Sequence, residues 1–490
     1  MSPVGSLRSF LSLALLAAIL FAGAAGCSSS GNGSIAVQLV YPSSPGAAAP
    51  VSHASPRAPN YATHPSNRIL IRVLAPHFAP IEAWFDRSAG SGVIGGVPPG
   101  TRITVEVDEY DNTALTLGLG TSAPLLGRGW YHGITLTPGE VETVPVAMYA
   151  KGTIVTVCGA PASGGSGTPG DTGDGGLDNE ARLRNPRAVK AGPDDTIYVS
   201  TFTTVGYGRV RKIDRYGYVS HIAGSGTHGT ITPETAAASS PIDAVSDIDI
   251  DPAGNLYLFN DWNQIVRVDN GVVNKLVYDN GTYNSAARFN LAAVNVDLVY
   301  FVNYLENRVY RMFGTSKSDY VTDNLPYDPT EPFSRFNYPL RAPSSIAYAS
   351  MSDSLIFADT DNDRIMRLSF SDLNIYYLVA NAGGTRFSEG IDPLAMAPSR
   401  PRVVDYNPIT GKIFFVEAGL NTSRVLYVDA LGKVRVLAGT GMLGFSGDGG
   451  LAMAAGLNDP RAIAVDSRGN TYIADYGNHA VRMVVGGALP

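Results

Sequence analysis

Between residues 151 and 490 the chain alternates apolar and polar side chains in short runs, each closed by Gly, Asp, Asn or Pro. A period of two puts successive side chains on opposite faces of an extended backbone, so these runs predict strands joined by tight turns. The clearest unit is Pro460-Arg461-Ala462-Ile463-Ala464-Val465-Asp466, then Gly469-Asn470-Thr471-Tyr472-Ile473-Ala474-Asp475, then Asn478 and Val481-Arg482-Met483-Val484. The same parts recur in order at 248–251, 254–258 and 265–268, and again at 345–348, 355–359 and 364–368. A further copy runs through 186–213, and degenerate ones through 298–312 and 403–428. Aromatic anchors mark each copy at Tyr198, Tyr257, Tyr300, Phe357, Phe414 and Tyr472, at intervals of 59, 43, 57, 57 and 58 residues. Self-similarity at such a period marks a solenoid or a propeller, and three or four short strands per copy select the propeller blade. The fold class expected for 151–490 is therefore all-β, a six-bladed propeller. The sixth copy stops at Val484-Val485-Gly486, one strand short, while Thr153-Ile154-Val155-Thr156-Val157-Cys158-Gly159 matches the fourth strand of the fifth copy at 434–439. Residues 153–158 are expected to complete the last blade, closing the ring and consuming its exposed edges.

Residues 34–150 predict a small β-sandwich with no useful helical period. Ile103, Val105 and Val107 alternate with Thr104, Glu106 and Asp108, which predicts one dry and one wet face. Asp108-Glu109-Tyr110-Asp111 reads as the solvated end of that strand. A Pro-, Ala- and Ser-rich stretch at 42–66 reads as a long loop. Residues 1–26 carry Arg8, an apolar run from Phe10 to Phe21 and small residues before Cys27, the pattern of an export signal. Ala24-Ala25-Gly26-Cys27 resembles the lipobox of bacterial lipoproteins. That resemblance implies cleavage before Cys27, acylation of its thiol, and a tether over 27–33. Ser28 in place of an Asp then implies the outer membrane, facing the periplasm or the cell surface.

Composition narrows the rest. The charge is −7 overall, and residues 151–490 hold 29 Lys and Arg against 35 Asp and Glu, with no long basic run. Recruitment of nucleic acid by bulk charge is excluded. With Cys27 lipidated, Cys158 has no partner for a disulfide, and its apolar strand predicts a buried, inert thiol.

Two stretches carry a family resemblance. One is Ala438-Gly439-Thr440-Gly441, then Gly444-Phe445-Ser446-Gly447-Asp448-Gly449-Gly450-Leu451-Ala452, then Leu457 and Pro460. The other is Gly173-Asp174-Gly175-Gly176-Leu177, Ala181, Leu183 and Pro186. They resemble the NHL-repeat family of six-bladed propellers. Gly95-Gly96-Val97-Pro98-Pro99-Gly100-Thr101 with the strand after it resembles the prealbumin-like or carboxypeptidase-regulatory-like sandwich domains of bacterial surface proteins.

In a meander, the turn between strands two and three shares one face with the loop leading into the next blade. Binding usually occupies loops on a rigid scaffold, so this loop face is the expected working surface. Its candidates are Asp174, Asp448, Asp359, Asn362, Arg364, Asp475 and Asn478. Each also has a structural role open to it, such as an Asp or Asn tying down its own turn. Asp171, Asp174 and Asp178 offer oxygen ligands for Ca²⁺, without EF-hand spacing; no other cofactor is expected. Arg211, Arg267, Arg311, Arg367 and Arg482 recur and are read as pairing with acidic neighbours. Some NHL-related propellers are amidating lyases with a His-ligated zinc in the channel, and others resemble lactonases. Here His221, His228 and His479 do not share a repeat position, and no repeated acidic channel position stands out. The expected function is a membrane-anchored binding or scaffold protein recognising a protein, peptide or glycan. The alternative is a lyase or lactonase-like hydrolase working in the central channel.

Overall fold

Strands and tight turns make up the regular structure. The computed structural model describes residues 31–40, 68–89, 91–111, 124–159, 169–202, 207–279, 289–296, 298–322, 338–380, 387–418 and 422–489. The export signal 1–26, Cys27 and the 42–66 segment lie outside the described residues. Among the described residues no helix is long and apolar enough to cross a membrane.

The first part contributes β1 (Gly33–Val40), β2 (Arg68–Ala75), β3 (Phe78–Asp86), β4 (Ser91–Val97), β5 (Gly100–Tyr110), β6 (Leu125–Leu136) and β7 (Val141–Ala150). They form one seven-stranded sheet in the order β3-β2-β5-β6-β7-β1-β4, with β1 parallel to β7. The sheet folds over a single core that includes Ile35, Val37, Ile71, Val73, Val105, Val107 and Val146. Register shifts between β5 and β6, at Gly100/Ile103 and Ile103/Val105, are bulges that bend it. The two layers of the expected sandwich are thus halves of one hydrogen-bonded sheet.

Six further sheets follow, at 189–223, 235–279, 289–321, 343–379, 401–441 and 460–484, each built on a sequential antiparallel meander, the second with the short strand Thr235–Ala236 added outside Val272–Asp279. The last is completed by β8 (Ile154–Cys158), which sets Cys158 opposite Val481, Thr156 opposite Arg482 and Ile154 opposite Val484. This is a closed six-bladed β-propeller. Its turns repeat one device. Asp251, Asp466, Asp214 and Asp429 each accept two backbone N–H groups across a tight hairpin. Gly254 and Gly469 take the left-handed position there, at φ 88° and 79°. Blades then bury apolar faces on one another; Ile463, Ile473 and Val484 of blade six share a core with Phe414, Val416 and Leu437 of blade five. Each fully buried side chain of this size is worth roughly 1.5–3 kcal/mol.

The register corrects one anchor. Tyr198, Tyr257, Tyr300, Phe414 and Tyr472 stand opposite Lys190, Asp249, Ala292, Asp405 and Ala464 of the innermost strands. In blade four that position belongs to Ile356, opposite Ala347, and Phe357 lies one residue on. The recurring arginines likewise split in two. Arg267, Arg311 and Arg367 stand opposite Tyr257, Tyr300 and Ile356. Arg211 and Arg482 pair with the neighbouring position, opposite Val199 and Ile473, and are fully buried. Arg311 and Arg367 lie over the rings of Tyr320 and Tyr376, and among the described residues neither forms an ion pair.

The wet face expected on β5 is buried as well. Thr104, Glu106, Asp108 and Glu109 are all shielded from solvent. Asp108 accepts hydrogen bonds from Arg72 (2.7 Å), Arg128 (2.6 Å) and Arg468 (3.0 Å), the last from blade six. Arg468 also meets Glu106 at 2.6 Å, and Arg128 donates to Asn470 at 2.7 Å. The polar stripe is therefore a docking surface, and the propeller takes the place of solvent. Burial opposes the Asp108 carboxylate, yet the surrounding guanidiniums hold its pKa far below the usual range.

Candidate binding site

The innermost strands begin on the loop face and run to the opposite face, where the sheet of β1–β7 is docked. The space they enclose is a central channel with two different ends.

Towards the docked sheet lies a cavity of about 350 Å³, bounded by Lys190, Asp247, Asp249, Asn290, Asp405 and the rim side chains Tyr348 and Tyr406. Lys190 sits between carboxylates from two other blades, 2.8 Å from Asp249 and 3.8 Å from Asp405. Asp247 and Asp249 are further held by the backbone N–H groups of Leu291 (2.8 Å) and Ala293 (2.7 Å). Burial, reinforced by Asp249, pushes Asp247 up to about 8. Burial also pushes Asp405 up to about 6, with Lys190 pulling the other way. Burial works against the Lys190 ammonium, but Asp249 and Asp405 keep its pKa above the ordinary lysine value.

At the loop face the channel ends in a smaller pocket of about 50 Å³, to which every blade contributes a polar side chain: Arg187, Ser246, Asn290, Ser344, Arg402 and Arg461. Blades five, six and one supply guanidiniums, and blades two, three and four supply hydroxyls and an amide. Arg187 donates twice to Asp261 at 2.8 Å. Arg402 and Arg461 share Asp459, at 3.0 and 2.7 Å. Arg461 also lies 3.3 Å from the centre of the Tyr476 ring.

The residues singled out in the sequence are placed elsewhere, and none lines either cavity. The Gly-Asp-Gly-Gly loops leave the loop face and run along the outer edges of their blades. Gly449 N–H donates to Ile154 and Gly175 N–H to Val219, both at 2.8 Å. Asp448 is held by Arg482 (2.7 Å) and by the Thr156 hydroxyl (2.7 Å). Asp174 is held by Arg211 at 3.1 Å. Asp475 accepts from Asn458 N–H and from Asn478, both at 2.7 Å, and burial pushes it up to about 6. Asp359 accepts from Tyr338, Arg341 N–H and Asn362 at 2.7, 2.7 and 2.8 Å. Arg364 reaches the Tyr377 hydroxyl at 3.5 Å.

Asp171 faces Arg209 at 3.9 Å, whereas Asp178 is turned onto the Asn179 N–H, 2.8 Å away. They do not converge with Asp174. Among the described residues no group of three or more His, Cys, Asp or Glu is arranged to hold a metal ion. His221 bonds the Gly224 carbonyl, His228 bonds Asp243, and His479 accepts from Asn185 N–H, three separate places. Cys158 is buried, which pushes its thiol pKa up.

Sequence reasoning missed both ends of the channel. The mouth was signalled by Pro186-Arg187, Pro401-Arg402 and Pro460-Arg461, a dipeptide recurring where three blades begin. The charged cavity was signalled by Lys190, Asp249 and Asp405, which face the aromatic anchors and become visible only once the register is fixed.

No protein-family model matches the chain, and no curated protein is similar to it in sequence. Among solved structures the chain is similar to an auxiliary nutrient binding protein from Bacteroides thetaiotaomicron, with 15% identity, 84% of this chain and 90% of that chain covered, and a TM-score of 0.48. A second auxiliary nutrient binding protein, from Bacteroides ovatus, shows 14% identity, 84% and 90% coverage and a TM-score of 0.48. A gluconolactonase from Xanthomonas campestris shows 11% identity, 61% and 86% coverage and a TM-score of 0.40. All three are distant, and the propeller is assigned from the order of its own sheets.

Proposed function

We propose that the chain is a binding protein of the cell envelope, held to the membrane through Cys27 and recognising a peptide, protein or glycan at the loop-face mouth of its channel. One observation supports this most: all six blades place a polar side chain around one pocket on a closed, rigid ring. Binding sites are concave and carry a few converging polar groups, and this pocket has that form. The loop residues around it are occupied in holding their own turns, which keeps the rim fixed. The anchor rests on the Ala24-Ala25-Gly26-Cys27 motif. Palmitate labelling lost in Cys27→Ala supports it, and label that persists removes it.

A panel of peptides and oligosaccharides screened by thermal shift on the full chain tests the binding role, because a ligand of the folded state raises Tm. Ser246→Tyr fills the mouth. Shifts abolished by Ser246→Tyr agree with the reading; shifts that survive it place the ligand elsewhere.

The second reading, an enzyme of the lyase or lactonase-like class, is favoured by one feature, Asp247. A buried carboxyl pushed up to about 8 beside Lys190 and Asp249 is a general-acid candidate. Turnover of lactones or esters that disappears in Asp247→Asn would select it.

A further inference from the structure

From the loop-face pocket we infer that the ligand presents a carboxylate, bound by the guanidiniums of Arg402, Arg461 and Arg187. This rests on the binding role proposed above and narrows it to a chemical class.

The pocket is rich in donors. A guanidinium carries five N–H donors and no acceptor. Among the described residues Arg402 spends only Nη1, on Asp459, leaving Nε and Nη2 without an acceptor. Arg187 spends only Nη1, on Asp261. Asn290 turns its carbonyl oxygen to Ser345 and the Ile346 N–H, so its amide nitrogen keeps both hydrogens free. Asp261 and Asp459 hold the three guanidiniums, Arg187 and Arg402 each through only part of the donor fork. Burial lowers the Arg402 pKa against the pull of Asp459, with Arg400 and Arg461 acting in the same direction as burial. A planar oxyanion matches the fork of a guanidinium and supplies the acceptors these donors lack.

Size and shape select within the anions. The pocket, at about 50 Å³, takes one small group and not a folded chain. Arg461 in its wall already lies over the ring of Tyr476. Arg461 is thereby pre-oriented and gives up little side-chain freedom on binding. Two sources of a carboxylate fit this chemistry: a hexuronate sugar and an acidic short peptide.

Calorimetric titration of the full chain with glucuronate, glucose, Ala-Glu and Ala-Gln separates the cases. The inference predicts saturable binding of glucuronate, Ala-Glu or both, with the neutral partner of each at least about tenfold weaker. Which acid binds identifies the source. Arg402→Gln and Arg461→Gln should each weaken that binding by about tenfold or more, with the far-UV spectrum and Tm of a folded chain retained. Raising salt from about 50 to 500 mM should weaken it further. Equal binding of acid and neutral partner, or binding indifferent to Arg402→Gln, overturns the carboxylate. If that indifferent binding is still lost in Ser246→Tyr, the mouth remains the site and only the ligand class falls. No saturation by either acid up to about 10 mM overturns the inference as well.

Discussion

Arg468 of the sixth blade holds both carboxylate oxygens of Asp108, at 3.0 and 3.1 Å, across 360 residues of sequence. Arg72 and Arg128 complete the coordination of the same carboxylate. Three guanidiniums gathered around one buried acid bind the sheet of β1–β7 to the propeller. Asp108→Ala removes the acid they share, leaving Arg72 on Glu82, Arg468 on Glu106 and Arg128 with no carboxylate of its own among the described residues. Removing one partner of a buried ionic cluster costs about 3–5 kcal/mol, and this variant should lose stability on that scale. Calorimetry should also show the single transition split in two as the domains uncouple. A variant that melts like the parent would mean the junction is held by other contacts.

Arg482 ties the closing strand to the loop that crosses it. It meets Asp448 at 2.7 Å and Asp475 at 3.5 Å, and Asp448 in turn accepts from Thr156 of β8. Arg482→Met leaves both carboxylates without a cation in a buried setting, a loss of about 3–5 kcal/mol in denaturant unfolding. Limited proteolysis should open at 447–450 first. A change within about 0.5 kcal/mol would contradict the clamp.

Asp247 makes stability depend on pH in a stated direction. An ordinary aspartate titrates near 3.8, and in the folded chain Asp247 does so near 8. Between those values the folded chain keeps a proton that the unfolded chain has lost, so stability falls as pH rises through this window. Asp405, raised to about 6, adds to the fall over the lower part. The slope from one group is at most about 1.4 kcal/mol per pH unit. Asp247→Asn keeps an acceptor for the Leu291 N–H and removes the titration. Its stability relative to the parent should therefore climb from pH 5 to pH 8. Parallel curves would refute the assignment.

Lys190 is the cation that meets Asp249 and Asp405 in the inner cavity. Lys190→Met should destabilise the chain more at pH 8 than at pH 5, because Asp405, raised to about 6, can protonate at the lower pH. Adding Asp249→Asn and Asp405→Asn should restore much of the loss. A triple variant as unstable as the single one would show that Lys190 acts through packing of its methylenes.

The architecture was legible because propeller blades are local. Repeats near 460, 248 and 345 state their strands in period-two patterns, and the likeness of 153–159 to 434–439 points to the strand that sits beside Val481–Val484 in the structure. What was not legible depends on contacts between distant segments. The polar stripe of Glu106 and Asp108 reads as solvated because sequence does not reveal Arg468 above it. Asp174 and Asp448 read as surface loop groups because their guanidinium partners, Arg211 and Arg482, lie 37 and 34 residues away. The channel groups are scattered singly through the repeats, and one slipped anchor, Phe357 for Ile356, was enough to hide their common position.

Hydrogen–deuterium exchange on the full chain, with and without a ligand found by thermal shift, tests the loop-face site most directly. The account predicts slowed exchange at the starts of the innermost strands, around Arg187, Asn290, Ile346, Arg402 and Arg461, with the turns at Pro193, Pro252 and Pro408 unchanged. Protection confined to those turns, or spread over the outer blade edges, would contradict it.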